Sequence, residues 1–262
     1  MESPEVHEQI YEAQSAAFIM QLRENSNRHV SVWTMLTDAK FRKSTWMAIW
    51  VAVANIICGI CLVNGFAMMI FEKLNLNNSL GKYNKFTTKQ DCYCVGFANI
   101  IGAMASYYTI SMFSRRTIFI GGHLLMGMIL CLSGYLMSLK QPDLVLYSLC
   151  SFVAVYQSTQ GSCLFIYVAE IVVNEIAMGL ALFSLMLAQT IHSMCSTYMI
   201  NCKYGLDVIL YAFGIFQLVP ALYFTLCMRE TQGLSAQDKK KLYVPVEMQQ
   251  IGQKGQAKSE GL

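Results

Sequence analysis

Six runs without a charged residue succeed one another along the chain: 45–71, 92–113, 117–139, 144–169, 176–199 and 208–228. Each matches or exceeds the roughly 20 apolar residues an α-helix needs to cross a bilayer. All are too long for buried strands, and none alternates polar with apolar positions as a porin-type barrel strand does. The pattern predicts an all-α membrane protein with six transmembrane helices, bounded by a segment 1–43 and a tail 229–262.

Residues 1–43 read as soluble. Ser3, Pro4 and Glu5 make a helix start, with a capping side chain, a proline in the first turn and an acid near the positive dipole end. Val6, Ile10, Ala13, Ala17 and Met20 then recur at spacings of three and four, one stripe of an amphipathic helix ending near 23–27. A short segment, 32–41, carries Trp33, Met35, Leu36 and Phe41, and Lys40, Arg42 and Lys43 stand at the mouth of the first run. In the tail, Ser235 followed by Asp238 and three lysines predicts a short helix, and the Gln-, Gly- and Lys-rich part after Pro245 is expected to be disordered. Lys239, Lys240 and Lys241 serve most simply as a positive stop beside the membrane; an anionic-lipid site is the sharper reading.

Composition narrows the class. Hydrophobic residues make up 55% of the 262 and charged residues 13%, about half the charge of a soluble domain. A net charge of +3 gives no nucleic-acid footprint. Seven of the ten cysteines fall well inside the apolar runs, away from their first residues, where cysteine packs as a small apolar residue. Cys92, Cys94 and Cys202 lie near run edges, so a disulfide from Cys202 to Cys92 or Cys94 is open if that side is exoplasmic. The Cys-Tyr-Cys at 92–94 lacks metal or redox spacing, and the first 30 residues do not read as a signal peptide.

Lysine and arginine set the expected topology. The segment before the first run has five, the 114–116 turn two, the 170–175 loop none and the tail six; the opposite side has four in 72–91, then Lys140 and Lys203. Thirteen against six places both termini in the cytoplasm. The sequon Asn77-Asn78-Ser79 then falls on the exoplasmic side.

Several motifs occur in a telling order. The first run holds Asn55-Ile-Ile-Cys-Gly59-Ile60-Cys61 and later Ile70 and Phe71; the second holds Asn99, sixteen residues before Arg115. A Ser114-Arg115-Arg116 turn follows. The fourth run reads Gly-Ser-Cys-Leu-Phe-Ile-Tyr-Val-Ala-Glu over 161–170, and the sixth leads into Arg-Glu-Thr-Gln-Gly-Leu-Ser over 229–235. This order resembles the C-terminal half of a sugar-porter-type member of the major facilitator superfamily. The resemblance implies two three-helix inverted repeats, 45–139 and 144–228, forming half of a twelve-helix facilitator fold, with 1–43 as a cytoplasmic helical linker. It also implies transport of a sugar or similar small polar solute by alternating access. The sequence departs from the family at several positions: the usual glutamine pair becomes Asn55 and Ile56, an asparagine becomes Cys61, an acid becomes Ser111, and an arginine becomes Ala177.

The matched charges suggest a cytoplasmic latch in which Arg115 and Arg116 pair with Glu170 and Glu230 across neighbouring helix ends. The plainer account makes the arginines positive-inside anchors and the acids helix ends. For a substrate, the polar residues deep in the runs are Asn55, Asn64, Asn99, Gln157, Gln160, Gln189, Thr190 and His192. Amides offer donors and an acceptor without a charge to desolvate. The expected substrate residues are Asn55, Asn99, Gln157 and Gln189, with Phe165 offering a ring to the apolar face of a sugar. Gln157 and Gln160, three apart, are expected to share a helix face, as are Gln189 and His192; His123 is expected to pack or to face a surface. The plain alternative is interhelical hydrogen bonding. No nucleophile arrangement, metal cluster or phosphate loop points to an enzyme, and no cofactor is called for.

A half-fold needs a second wall. The chain is expected to be a piece of a longer transporter, a half that pairs with another chain or itself, or a degenerate copy. A non-transporting membrane subunit or sensor on the same fold is the alternative.

Overall fold

A computed structural model describes residues 31–77, 88–201 and 205–245. The amphipathic helix expected at 6–20, residues 78 and 79 of the sequon, Cys202 and the end of the tail after Pro245 lie outside the described residues. Among the described residues every regular element is helical: α1 Val32–Thr37, α2 Arg42–Ile57, α3 Ile60–Asn77, α4 Thr88–Met112, α5 Arg115–Ser138, α6 Pro142–Tyr156, a π-helical turn Gln157–Gly161, α7 Ser162–Ile171, α8 Glu175–Ile200, α9 Leu206–Phe216, α10 Leu218–Cys227 and α11 Ala236–Lys241.

Each apolar run is helical, and three of the six are interrupted. The first breaks at Cys58 and Gly59, where Gly59 takes φ +91°, a left-handed conformation that costs a residue with a Cβ. The fourth widens into the π turn. The sixth breaks at Gln217, three residues ahead of Pro220, which has no N–H to return to the carbonyl of Phe216 and crowds it. Four stretches are long and apolar enough to cross a membrane: Arg42–Glu72, Arg115–Ser138, Glu175–Ile200 and Leu206–Cys227. The other two runs fall short for visible reasons. α4 dilutes its apolar residues with Lys89, Gln90, Asp91, Asn99 and three tyrosines, and the π turn cuts the fourth run into helices of 15 and 10 residues.

Local chemistry fixes the helix ends. Ser31 and Ser114 cap α1 and α5 through their hydroxyls, and Ser235 caps α11, the short helix expected there. Pro142 and Asp143 open α6, where a missing N–H costs nothing and an acid meets the positive dipole end.

The described chain divides into two compact units. One comprises the described parts of Met1–Val51, Tyr167–Phe183 and Thr231–Leu262. Within it the Tyr167 and Tyr243 hydroxyls meet at 2.7 Å, and both rings are buried. The other comprises Ala52–Ile166 and Ser184–Glu230. Its core gathers Leu62, Ile70, Met126, Leu130, Leu149 and Phe152 from α3, α5 and α6.

Small residues let these helices approach closely, the usual basis of helix contact where lipid is as apolar as leucine. A Cβ on Gly102 of α4 would stand 2.5 Å from the Ala154 carbonyl oxygen and 2.8 Å from Cβ of Gln157. Gly127 of α5 meets the backbone of Gly214 of α9 in the same way, with 2.8 Å to its carbonyl oxygen. The obstacle at Gly102 is backbone, which cannot rotate aside. Gly102→Leu is therefore expected to cost about 1–3 kcal/mol as overpacking, read as a lower unfolding temperature of the purified chain in detergent.

Candidate functional site

The π turn organises the polar interior of the larger unit. A turn closed from residue i to i+5 holds more than four residues, so three positions along it cover far less than a full revolution. Gln157 and Gln160 consequently point to different neighbours and do not share the face that α-helical spacing predicts. Gln157 donates from Nε2 to Asn99 Oδ1 of α4 at 2.9 Å. Gln160 donates from Nε2 to the Phe119 carbonyl of α5 at 3.0 Å. Gly161 makes the room: a Cβ there would fall 2.4 Å from Gln157 Oε1.

Two polar groups result. In the first, Asn99 and Asn64 exchange amide hydrogen bonds at 3.3 and 3.4 Å, and Asn99 also accepts from Gln157 and donates to the Val95 carbonyl. Asn64 is exposed, while Asn99 and Gln157 are half-buried. In the second, Asn55 is sealed at 1% exposure. It accepts from the Tyr156 hydroxyl and donates to the Gln160 carbonyl at 3.3 Å. Gln160 Oε1 is buried without a partner among the described residues.

The expected substrate residues thus separate. Asn99 and Gln157 stand in direct contact, with Asn64 as a third amide. Asn55 belongs to the buried group and reaches no surface. Gln189 is exposed on α8, and no hydrogen bond joins it to either group among the described residues; Phe165 is half exposed on α7.

A third group was not legible as a unit. Gln217, at the break between α9 and α10, donates from Nε2 to the Cys58 carbonyl at 2.6 Å and meets His123 Nδ1 through Oε1 at 2.7 Å. The amide orientation makes His123 the donor, through Nδ1–H. Gln217 therefore supplies a donor to the Cys58 carbonyl that the break at Gly59 leaves open. The available signal was a lone glutamine beside a proline in an apolar run. Of the two placements expected for His123 the buried one holds, at 0% exposure, and its ring contacts Gln217. The α8 histidine, His192, pairs with Ser196 at 3.2 Å. Cys92 and Cys94 carry free thiols.

The charged residues at the 114–116 turn are arranged about helix ends. Both oxygens of Glu230 accept from the first two N–H groups of α5, those of Arg115 and Arg116, each at 3.0 Å, while Ser114 Oγ accepts from Thr117. Three of the four N–H groups that a helix start leaves open are thereby met. The guanidinium of Arg115 donates to the Ile110 carbonyl at the end of α4, and that of Arg116 to the Thr225 carbonyl near the end of α10. Each countercharge sits where the helix dipole favours it. In the other unit, Glu170 accepts from Lys239 Nζ at 2.7 Å and from Thr231 Oγ1 at 2.6 Å. Among the described residues no group of three or more His, Cys, Asp or Glu side chains is placed to hold a metal.

The family model described as sugar (and other) transporter matches residues 3–243 of the 262, and the chain belongs to that family. No curated protein matches the chain.

The cap geometry sets an expectation for the turn. Glu230→Ala removes two acceptors at the start of α5 and is expected to cost about 1–2 kcal/mol, measured by thermal unfolding in detergent. Glu230→Gln keeps one acceptor oxygen and should lose about half as much. Equal losses in the two variants would mean that the guanidinium charges, and not the backbone N–H groups, are what Glu230 serves.

Proposed function

We propose that this chain forms the C-terminal half of a transporter and moves a sugar or similar small polar solute by alternating access, with the Asn64, Asn99 and Gln157 amides as its contact to the solute. The observation that carries this is a half-open amide cluster set in otherwise apolar helices. An amide turned toward hydrocarbon is costly, so such a cluster belongs on a water-filled cavity or against a second bundle. Amides bind hydroxyl-rich solutes without desolvating a charge, and the Asn64–Asn99 exchange holds both side chains in fixed orientation. Family membership makes a sugar-like solute the natural substrate.

In this reading all six runs span the bilayer as two inverted repeats, both termini are cytoplasmic, and a second half closes the cavity. That half comes from another chain, another copy, or a longer version of this one. Gln189 and Phe165, exposed on α8 and α7, face the same cavity. Arg115, Arg116 and Glu230 form a junction of helix ends, and Glu170 with Lys239 holds the tail helix.

Uptake into proteoliposomes holding this chain together with an N-terminal half tests the proposal. Gln157→Leu leaves Asn99 without one partner, a stability loss of about 1 kcal/mol. Uptake should fall by about tenfold or more, the factor that 1.4 kcal/mol of lost solute contact gives. Unchanged uptake in an Asn99→Ala, Gln157→Leu double variant would remove the amides from the site, and no uptake by the paired unsubstituted chain would favour a non-transporting subunit. Topology has its own check, because glycosylation of Asn77 in microsomes is expected. A protease-accessible cytoplasmic 72–91 loop would overturn the orientation.

A further inference from the structure

Two side-chain atoms inside the larger unit are buried without a hydrogen-bond partner among the described residues: Gln160 Oε1 and His123 Nε2. Both residues are 0% exposed. Their partnered atoms fix what the open ones can do. Gln160 Nε2 donates to the Phe119 carbonyl, so turning the amide over would set two oxygens against each other. Gln217 Nε2 donates to the Cys58 carbonyl, which leaves Gln217 Oε1 to accept from His123 Nδ1–H and leaves His123 Nε2 a bare lone pair. Both open atoms are therefore acceptors. Neither can serve the other, and each is costly to bury alone.

One turn of α5 brings the two together. Gln160 Nε2 stands 2.9 Å from the position that a Cβ on Gly122 would take, and Gly122 adjoins His123. Helical side chains lean toward the N-terminus, so the His123 ring lies back over the turn whose carbonyl Gln160 holds. Phe224 packs on both ends of that turn, its ring centre 5.4 Å from those of Phe119 and His123. What joins two neighbouring acceptors must donate two hydrogens and be small enough for a place closed to solvent. It must also be neutral, since no charged side chain contacts either residue to balance it. A hydroxyl donates one hydrogen; water donates two. Buried waters make about two to four hydrogen bonds to groups that would otherwise lack them.

We propose an internal water site in which one water donates to both Gln160 Oε1 and His123 Nε2. The water closes a loop of contacts. It runs from Asn55 to the Gln160 carbonyl, through the Gln160 amide and the water to His123, and on through Gln217 to Cys58, three residues from Asn55. The loop fastens the break at Gly59, the π turn and the break at Gln217 to α5, so straightening any one of them strips the water of a partner. The site lies in the sealed polar group and takes no solute, so it stands or falls apart from the transport reading.

The test is X-ray radiolytic labelling of the whole chain in nanodiscs, which makes hydroxyl radicals from water where the water stands. Phe119, Phe224 and Phe152 are all 0% exposed, but Phe152 sits among Leu62, Met126 and Leu149 in the apolar core. Oxidation of Phe119 and Phe224, mapped by peptide mass spectrometry, should exceed that of Phe152 by about tenfold, because only they adjoin the water. When the sample meets heavy-oxygen water just before the pulse, exposed Trp33 should take the heavy isotope while Phe119 and Phe224 keep the light one, the mark of slow exchange. Gln160→Met removes one of the water's two acceptors and should lower the Phe224 label about fivefold, the factor that a hydrogen bond worth about 1 kcal/mol gives. The isotope reading needs no variant and decides the matter if Gln160→Met does not fold. Oxidation of Phe119 and Phe224 no higher than that of Phe152 would overturn the proposal. So would the heavy isotope there, since solvent passing through is not a held water, and so would a label that Gln160→Met leaves unchanged.

Discussion

Satisfying polar backbone groups away from water is the constraint on which the rest of this structure depends. An unpaired carbonyl or N–H in hydrocarbon costs several kcal/mol, so each interruption of a helix needs a donor or acceptor brought from elsewhere. The break at Gly59 frees the Cys58 carbonyl, and Gln217 reaches it from a second break beside Pro220. The start of α5 is met by Glu230 and Ser114, and the ends of α4 and α10 by Arg115 and Arg116. The side chains that look functional in this chain are largely the ones that make its irregular helices affordable in a bilayer.

That constraint also shapes the candidate site. The π turn at Gln157–Gly161 redirects two glutamines that ordinary helical spacing would align, sending one to Asn99 and the other to the backbone of α5. The result is one amide group open to a surface and one sealed inside. At the 114–116 turn, too, the charged side chains serve helix ends. A junction of this kind couples α4, α5 and α10 at one point, because moving any of them exposes another's terminal groups.

Much of the fold was legible in the primary structure. Charge-free runs located every long helix among the described residues, the motif order pointed to the family that the match over 3–243 shows, and Ser235 with Asp238 marked the tail helix. The sites were less legible. Asn99 and Gln157 are 58 positions apart and were chosen one by one for polarity; their contact depends on Gly102 letting α4 approach the turn, and on Gly161 leaving space for the Gln157 amide. Asn55 carried the same signal and turned out to be buried against Tyr156.

What the sequence alone determined is therefore the set of helices and their apolar character, because burying about 20 residues in a bilayer is a local requirement that composition meets or fails. The breaks at Gly59 and ahead of Pro220 were set by the structure, since other glycines of the runs, Gly102 and Gly127 among them, remain helical. Tertiary structure decided which polar groups answer the breaks and which remain open. Gln217, Glu230 and the two arginines acquire their partners only when distant helix ends are brought within 3 Å or so of one another, and no spacing along the chain encodes that encounter.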